Sequence, residues 1–342
     1  MSVILGEQTP SRRVTIKDVA IAAGVSVATV SKVVNGRDGI AAATSARVLG
    51  IVDQLGYETS LIASSMRKQR TQVIGVLVAE FEPFALQLLE GISSALQETP
   101  YDILAYAGSV SLGEHAGWER RSLSRLGGTL VDGAIIVTPT VAIDDASVPV
   151  VALDPHTGPT GPAVIDTDNV GGARTATEHL IALGHRRIAH LRGRTDLVSA
   201  QQREAGYRDA LAAAGIPVDE GLILDGGYRA AMATAAADAM LSRDDRPTAV
   251  FAANDVTALE VVRVATARGL RVPDDLSVVG FDDLPTAAAG RPGLTTIRQP
   301  LLEMGASAVH LLLSMLGGGP SEHIRMPTEL VVRDSTRAAE RS

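Results

Sequence analysis

Val14-Thr-Ile-Lys-Asp-Val-Ala-Ile-Ala-Ala-Gly-Val-Ser-Val-Ala-Thr-Val-Ser-Lys-Val-Val-Asn-Gly36 is the stretch on which the reading of this chain turns. Thr15 followed three residues later by Asp18 has the spacing of a helix start in which side chain and backbone cap each other. Ile16, Val19, Ala20 and Ala23 then recur at helical spacing. Gly24 is free to take a positive φ and stop the helix. Ser26 can cap a second helix over 27–35, with Val30, Val33 and Val34 on its inner face and Asn35-Gly36 at its end. Two short helices joined by three residues, with the small Ala20 where they cross, predict a helix-turn-helix. A third helix, about Thr44 to Leu55, offers Val48, Leu49, Val52 and Leu55 to close the core, and Gly56 ends it.

Three short helices can also be a plain structural bundle, and charge separates the readings. Net charge is -8 over the 342 residues. Residues 1–70 nevertheless hold nine Lys/Arg against five Asp/Glu, a net of +4, while residues 71–342 carry -12. A basic head on an acidic body is the footprint of a polyanion-binding module. On the second helix Val27, Ala28 and Lys32 are left facing outward, two small apolar groups and one cation that can meet thymine methyls and a guanine or phosphate. The caps Thr15 and Ser26 put free N–H groups where a phosphate can sit.

Taken whole, Val14 to Gly36 resembles the head of the lactose-repressor/galactose-repressor (LacI/GalR) family almost residue for residue. The resemblance implies that residues 14–58 are a DNA-binding domain, with Ser31 and Asn35 joining Thr15, Ser26, Val27, Ala28 and Lys32 at the interface. Thr59-Ser-Leu-Ile-Ala-Ser-Ser-Met-Arg-Lys-Gln-Arg-Thr71 follows. By itself it is too short to hold a helix in water, and a plain linker is the alternative. In this family the segment folds on DNA and wedges an apolar side chain into the minor groove. Met66 stands where leucine is usual, Ser64 where many members have arginine, and Thr59 where proline is usual.

The remainder alternates short apolar runs with amphipathic stretches. Strands are expected over 73–79, 101–107, 133–137, 148–153, 188–191, 222–224, 249–252 and 278–281. Helices are expected over 84–97, 114–126, 170–183, 201–213, 230–241, 256–268 and 301–316. Such βα alternation reads as parallel sheets covered on both faces, and about 265 residues suit two lobes better than one. The order resembles a two-lobed, periplasmic-binding-protein-like (type I) α/β body. Segments such as Asp168–Leu180, Phe251–Asp255, Val272–Asp283 and Glu329–Asp334 extend the resemblance over about 14–335. It implies lobe crossings near 165–168, 290–296 and 324–328, hence an N-lobe of about 72–166 and 296–325 and a C-lobe of about 167–292 and 327–335.

Ligands of open α/β sheets sit beyond the carboxyl ends of strands, which picks out Asp154, Asn254, Asp255, Asp282 and Asp283 by position. Carboxylates and amides suit a polyol, and Arg203 near a helix start can grip vicinal oxygens. The family's effector positions fall on Asp154, Ser199, Arg203, Asn254, Asp282 and Gln299, with Phe84 and Tyr228 as walls. Asp255 and Asp283 can equally cap helices or pair across lobes, and Tyr228 can simply be exposed. Glu82-Pro83-Phe84 departs from the family's usual Asn-Pro-Phe.

The chain has no cysteine, which excludes disulfides and thiolate chemistry. No phosphate loop, His-Glu-x-x-His or Gly-x-Ser-x-Gly motif occurs, so neither enzyme activity nor a cofactor is expected. His179, His185 and His190 are spaced by six and five, which does not stack them as metal ligands on one helix face. No apolar run has signal-peptide or membrane-span character, so a cytoplasmic protein is expected. A ligand-responsive DNA-binding regulator, a repressor, acting as a two-fold dimer on pseudo-palindromic DNA, is therefore expected; a transport solute-binding protein with the same body is the alternative. A sugar is the first candidate for the ligand, a nucleobase or nucleoside the second. The tail carries no leucine heptad, so no tail-mediated tetramer is expected.

Overall fold

The computed structural model describes residues 14–34, 37–55, 70–108, 117–143, 146–158 and 163–339. These fall into two compact units, divided between Gln69 and Arg70.

The first unit is a three-helix head: α1 (Ile16–Ala23), α2 (Val27–Val34) and α3 (Ala42–Leu55). The Asp18 carboxylate accepts both the Thr15 backbone N–H (2.8 Å) and the Thr15 hydroxyl (2.7 Å), so the first turn is closed by a charge suited to a helix N-terminus. Gly24 takes φ 63°, and the Val25 N–H reaches back to the Ala20 carbonyl, which ends α1 and aims the chain into α2. Ser26 caps α2, its Oγ accepting the Thr29 N–H at 3.1 Å. Val19, Ala20, Ala23, Val30, Val33 and Val48 form the core. Leu49 and Leu55, expected in that core, are exposed instead. α3 starts at Ala42 and turns Val48, Ile51 and Val52 inward, a stripe that leaves Leu49 about a quarter turn to one side, while Leu55, the last residue of α3, stays partly open at the helix end.

The second unit runs β1 (Val73–Val78), α4 (Pro83–Leu96), β2 (Asp102–Ala107), α5 (Trp118–Leu126), β3 (Gly133–Val137), β4 (Val150–Leu153), β5 (Val164–Thr167), α6 (Asn169–Ala182), β6 (Ile188–Arg192), α7 (Val198–Ala213), β7 (Ile223–Asp225), α8 (Ala230–Leu241), β8 (Ala249–Ala252), α9 (Asp255–Ala267), β9 (Ser277–Asp282), α10 (Pro285–Ala289), β10 (Thr295–Arg298), α11 (Leu301–Leu316), β11 (His323–Met326) and β12 (Glu329–Val331). Two six-stranded sheets result, ordered β11-β5-β4-β3-β1-β2 and β12-β10-β9-β8-β6-β7. All pairings are parallel except β10 with β12. Inner strands such as β1, β3 and β9 are buried along their whole length, because helices cover both faces, whereas the edge strands β2, β7, β11 and β12 are partly exposed.

β5, β10, β11 and β12 were not among the expected strands. Each is three or four residues long and mixes polar residues into its run, so none shows the continuous apolar signal of β1. Their pairing fixes the lobe crossings. β10 pairs with β9 through Arg298↔Asp282, so the second crossing comes at Gln299-Pro300, later than the expected 290–296. Residues 296–298 accordingly lie in the C-lobe sheet rather than in the N-lobe. The other crossings follow β5 and β11. The C-terminal segment is tied down: Ala339 donates to the Leu183 carbonyl and Arg337 N–H to Ser277 Oγ.

Candidate functional site

The head presents the outer side of α2. Val27, Ala28 and Lys32 are exposed and Ser31 is half-buried, opposite the buried Val30 and Val33. Lys17, Arg37 and Arg47, which the sequence reading did not single out, are exposed cations on the same small unit. Thr15 and Ser26 sit at the two helix starts. Asn35 and Met66 lie outside the described residues.

In the second unit, each sheet reverses its strand order beside its first strand: β1 lies next to β3, and β6 next to β8. Loops leaving the carboxyl ends of such strands diverge and open a crevice. A cavity of about 390 Å³ lies there, lined from both lobes. The N-lobe supplies Glu80, Glu82, Phe84, Thr138, Asp154 and His156, and the C-lobe Arg194, Ser199, Arg203, Tyr228, Asn254 and Asp282. That volume falls in the usual small-molecule range of roughly 300–1,000 Å³.

Among the described residues six non-glycine residues have positive φ, and four of them line this cavity: Thr138, Asp154, Tyr228 and Asp282. Aspartate tolerates that region, but Thr138 and Tyr228 adopt it at a cost, which is a mark of functional sites. Gly193 makes room for Tyr228, since a Cβ there would lie 2.2 Å from the ring.

Arg203 is the hub. It is almost wholly buried and stacks on the Phe281 ring, its guanidinium carbon 3.8 Å from the centroid. Nε donates to Asn169 Oδ1 at 2.8 Å, Nη1 donates to the Ala253 carbonyl, and Asp282 Oδ1 is 3.5 Å from Nη1. Burial pushes the Asp282 carboxyl well up, and the adjacent Arg203 charge opposes it. Asp282 Oδ1 also accepts from Gln299 Nε2 at 2.7 Å, and Gln299 Oε1 accepts the Thr167 hydroxyl at 2.5 Å. Gln299 thus stands behind Asp282, bridging two crossover segments, and is not part of the cavity lining. Asn254 both lines the cavity and caps α9, accepting the Thr257 N–H at 3.0 Å. His156 also faces in; burial lowers its pKa, and its Nδ1 is buried without a partner.

Neighbouring acids have other work. Asp255 accepts the Leu284 N–H (2.7 Å) and the Thr296 hydroxyl (2.5 Å), and burial pushes it up to about 7. Asp283 binds Arg298 and Arg333 at 2.8 and 2.6 Å. The three histidines diverge: His179 meets Thr336, His185 meets Thr248 and Ser277, and His190 stacks between Tyr207 and Phe251. Among the described residues no group of three His, Cys, Asp or Glu is placed to hold a metal ion.

Comparison with known proteins joins these two units. Residues 15–60 match the family model for bacterial regulatory proteins of the lacI family, and residues 177–336 match a periplasmic-binding-protein-like domain. The HTH-type transcriptional regulator CelR of Thermobifida fusca is 36% identical over 345 residues, covering 95% of this chain and 98% of the relative. The chain belongs to the lacI family of bacterial regulatory proteins. A solved lac repressor dimer bound to operator and the anti-inducer ONPF is similar, with TM-score 0.81 and 31% identity over 96% of this chain and all of that one. A CelR–cellobiose complex is also similar, with TM-score 0.69 and 34% identity over 94% and 100%.

The protein is therefore a DNA-binding transcription regulator, and a transport role is not favoured. Within this lacI-family chain, Phe84, Asp154, Ser199, Arg203, Tyr228, Asn254 and Asp282 come together around one cavity; Gln299 does not reach it. Glu80, Thr138, His156, Arg194 and Arg229 line it and were missed. Thr138 directly follows β3, so the strand-end rule that found Asp154 applied to it equally. His156, Arg194 and Arg229 belong to irregular loops with no pattern to read.

Proposed function

We propose that this regulator is a cytoplasmic repressor whose grip on operator DNA is set by a small polyhydroxylated ligand, a sugar or sugar derivative, held between the lobes. The observation that carries the reading is the cavity at the crevice of both sheets, where carboxylates, amides and hydroxyls converge beside the Phe84, Trp118 and Tyr228 rings. Such a mixture of donors, acceptors and ring faces suits a polyol. The cellobiose bound by CelR and the operator bound by the lac repressor dimer support the ligand class and the two-fold assembly.

α2 enters the major groove, with Val27, Ala28, Ser31 and Lys32 at base edges and phosphates, and Asn35 and Met66 extend the contact. Two heads related by two-fold symmetry read a pseudo-palindrome. Ligand control is linkage: the metabolite binds one arrangement of the lobes better than the other and shifts DNA affinity by that difference. Asp282 and Gln299 connect the cavity to the crossover segments and carry the coupling.

A thermal-shift panel of mono- and disaccharides and nucleosides, followed by DNA binding with each hit, tests the reading. A sugar should raise the melting temperature and change DNA affinity. Stabilisation by nucleosides alone would replace the sugar with the base.

A further inference from the structure

Three guanidinium groups line the cavity, and each is already matched to a carboxylate. Arg229 Nη2 is 3.1 Å from Glu80, Arg194 Nη2 is 2.5 Å from Asp196, and Arg203 Nη1 is 3.5 Å from Asp282. Arg203 is further held by Asn169 and the Ala253 carbonyl. Two lining carboxyls, Asp154 and Glu82, have no ion-pair partner among the described residues. Asp154 is 5% exposed, its carboxylate accepts no side-chain hydrogen bond among the described residues, and its backbone is held at φ 45° on the cavity wall. His156, two residues on, is pushed by burial toward its neutral form and adds no compensating charge.

An anion entering this cavity would shed water without finding a free cation, and it would approach a buried carboxylate. A hydroxyl loses nothing of the kind, since it donates to Asp154, and a hydrogen bond to a charged acceptor is the stronger kind. Resting on the sugar reading above, we propose that the cavity selects by charge: it takes uncharged sugars and excludes their phosphate esters and uronic acids, with Asp154 as the deciding residue.

Calorimetric titration of the full chain with cellobiose, glucose, galactose and ribose, each beside its phosphate ester or uronic acid, tests this. The expected result is an uncharged sugar that binds at least 100-fold more tightly than its charged counterpart. In Asp154→Asn the gap should narrow at least fivefold. Glu80→Gln leaves Arg229 unmatched and should narrow the gap as well. A phosphate or uronate within threefold of its parent sugar overturns the charge selectivity while the sugar reading stands. Failure of every sugar, charged or not, overturns both.

Discussion

Arg203→Ala should destabilise the two-lobed unit in a way that depends on pH. The substitution removes a guanidinium with 3% exposure, together with its bonds to Asn169 and Ala253, its stacking on Phe281 and its charge beside Asp282. Removing one partner of a buried pair costs about 3–5 kcal/mol, which at 2–4 °C per kcal/mol lowers the melting temperature by roughly 10 °C. Asp282 is already raised by burial and loses the charge that opposed it. Its folded pKa in the variant then lies above both the unfolded value and the wild-type folded value. The folded variant binds a proton that the folded wild type does not, so the deficit grows with rising pH. The growth is about 1.4 kcal/mol per pH unit over that window, and the deficit shrinks as pH falls through it. Denaturant unfolding at intervals from pH 5.5 to 8.5, with Arg203→Ala, Asp282→Asn and the double variant, gives the full cycle. The double variant should lose the pH slope. A deficit that is constant with pH, or no deficit, refutes the buried-pair account, and then loss of ligand response in Arg203→Ala would report contact with ligand alone.

His190 is wholly buried, stacked between Tyr207 and Phe251, with Nδ1 bonded to the Phe251 carbonyl and Nε2 unpartnered; burial lowers it to about 4. Its contribution to stability is present above pH 6.5 and is lost as pH falls toward 4, about 2 kcal/mol of it by pH 5. His190→Leu should lose that part of the acid sensitivity, as read from unfolding curves at pH 7.5 and 5. Lys32→Ala should weaken binding to DNA and reduce the slope of log affinity against log salt by about 1 per head, measured by anisotropy titrations. Gly193→Ala drives a methyl into the Tyr228 ring and should weaken sugar binding in calorimetry while two-lobed folding is retained.

The head was legible in sequence because local chemistry decides it: Thr15, Gly24 and Ser26 act within three or four residues of themselves. The long inner strands were legible because burial on both faces leaves an unbroken apolar run, as in Val73–Val78. β5, β10 and β11 were not, since four residues that include Asp166, Arg298 or His323 owe their strand state to their neighbours. The same limit applies to the cavity. Asp154 was found because it directly follows β4 and Asp282 because it ends β9, whereas His156 and Arg229 arrive on irregular loops with no pattern to read. Gln299 shows the opposite case: the family resemblance marked it as a ligand contact, but its amide turns toward Asp282 and Thr167. Leu49 lost to Ile51, which lies on the other side of Val48 and faces the core in its place, and Leu55 is exposed because it is the last residue of α3.

Equilibrium titration of the full-length protein against a library of genomic duplexes, at two salt concentrations and with or without a stabilising sugar, bears most directly on the whole account. One two-fold-symmetric sequence should be held at least about 10³-fold more tightly than the rest, with the sugar changing that preference. Uniform weak binding to every duplex, unaltered by any sugar, would contradict it.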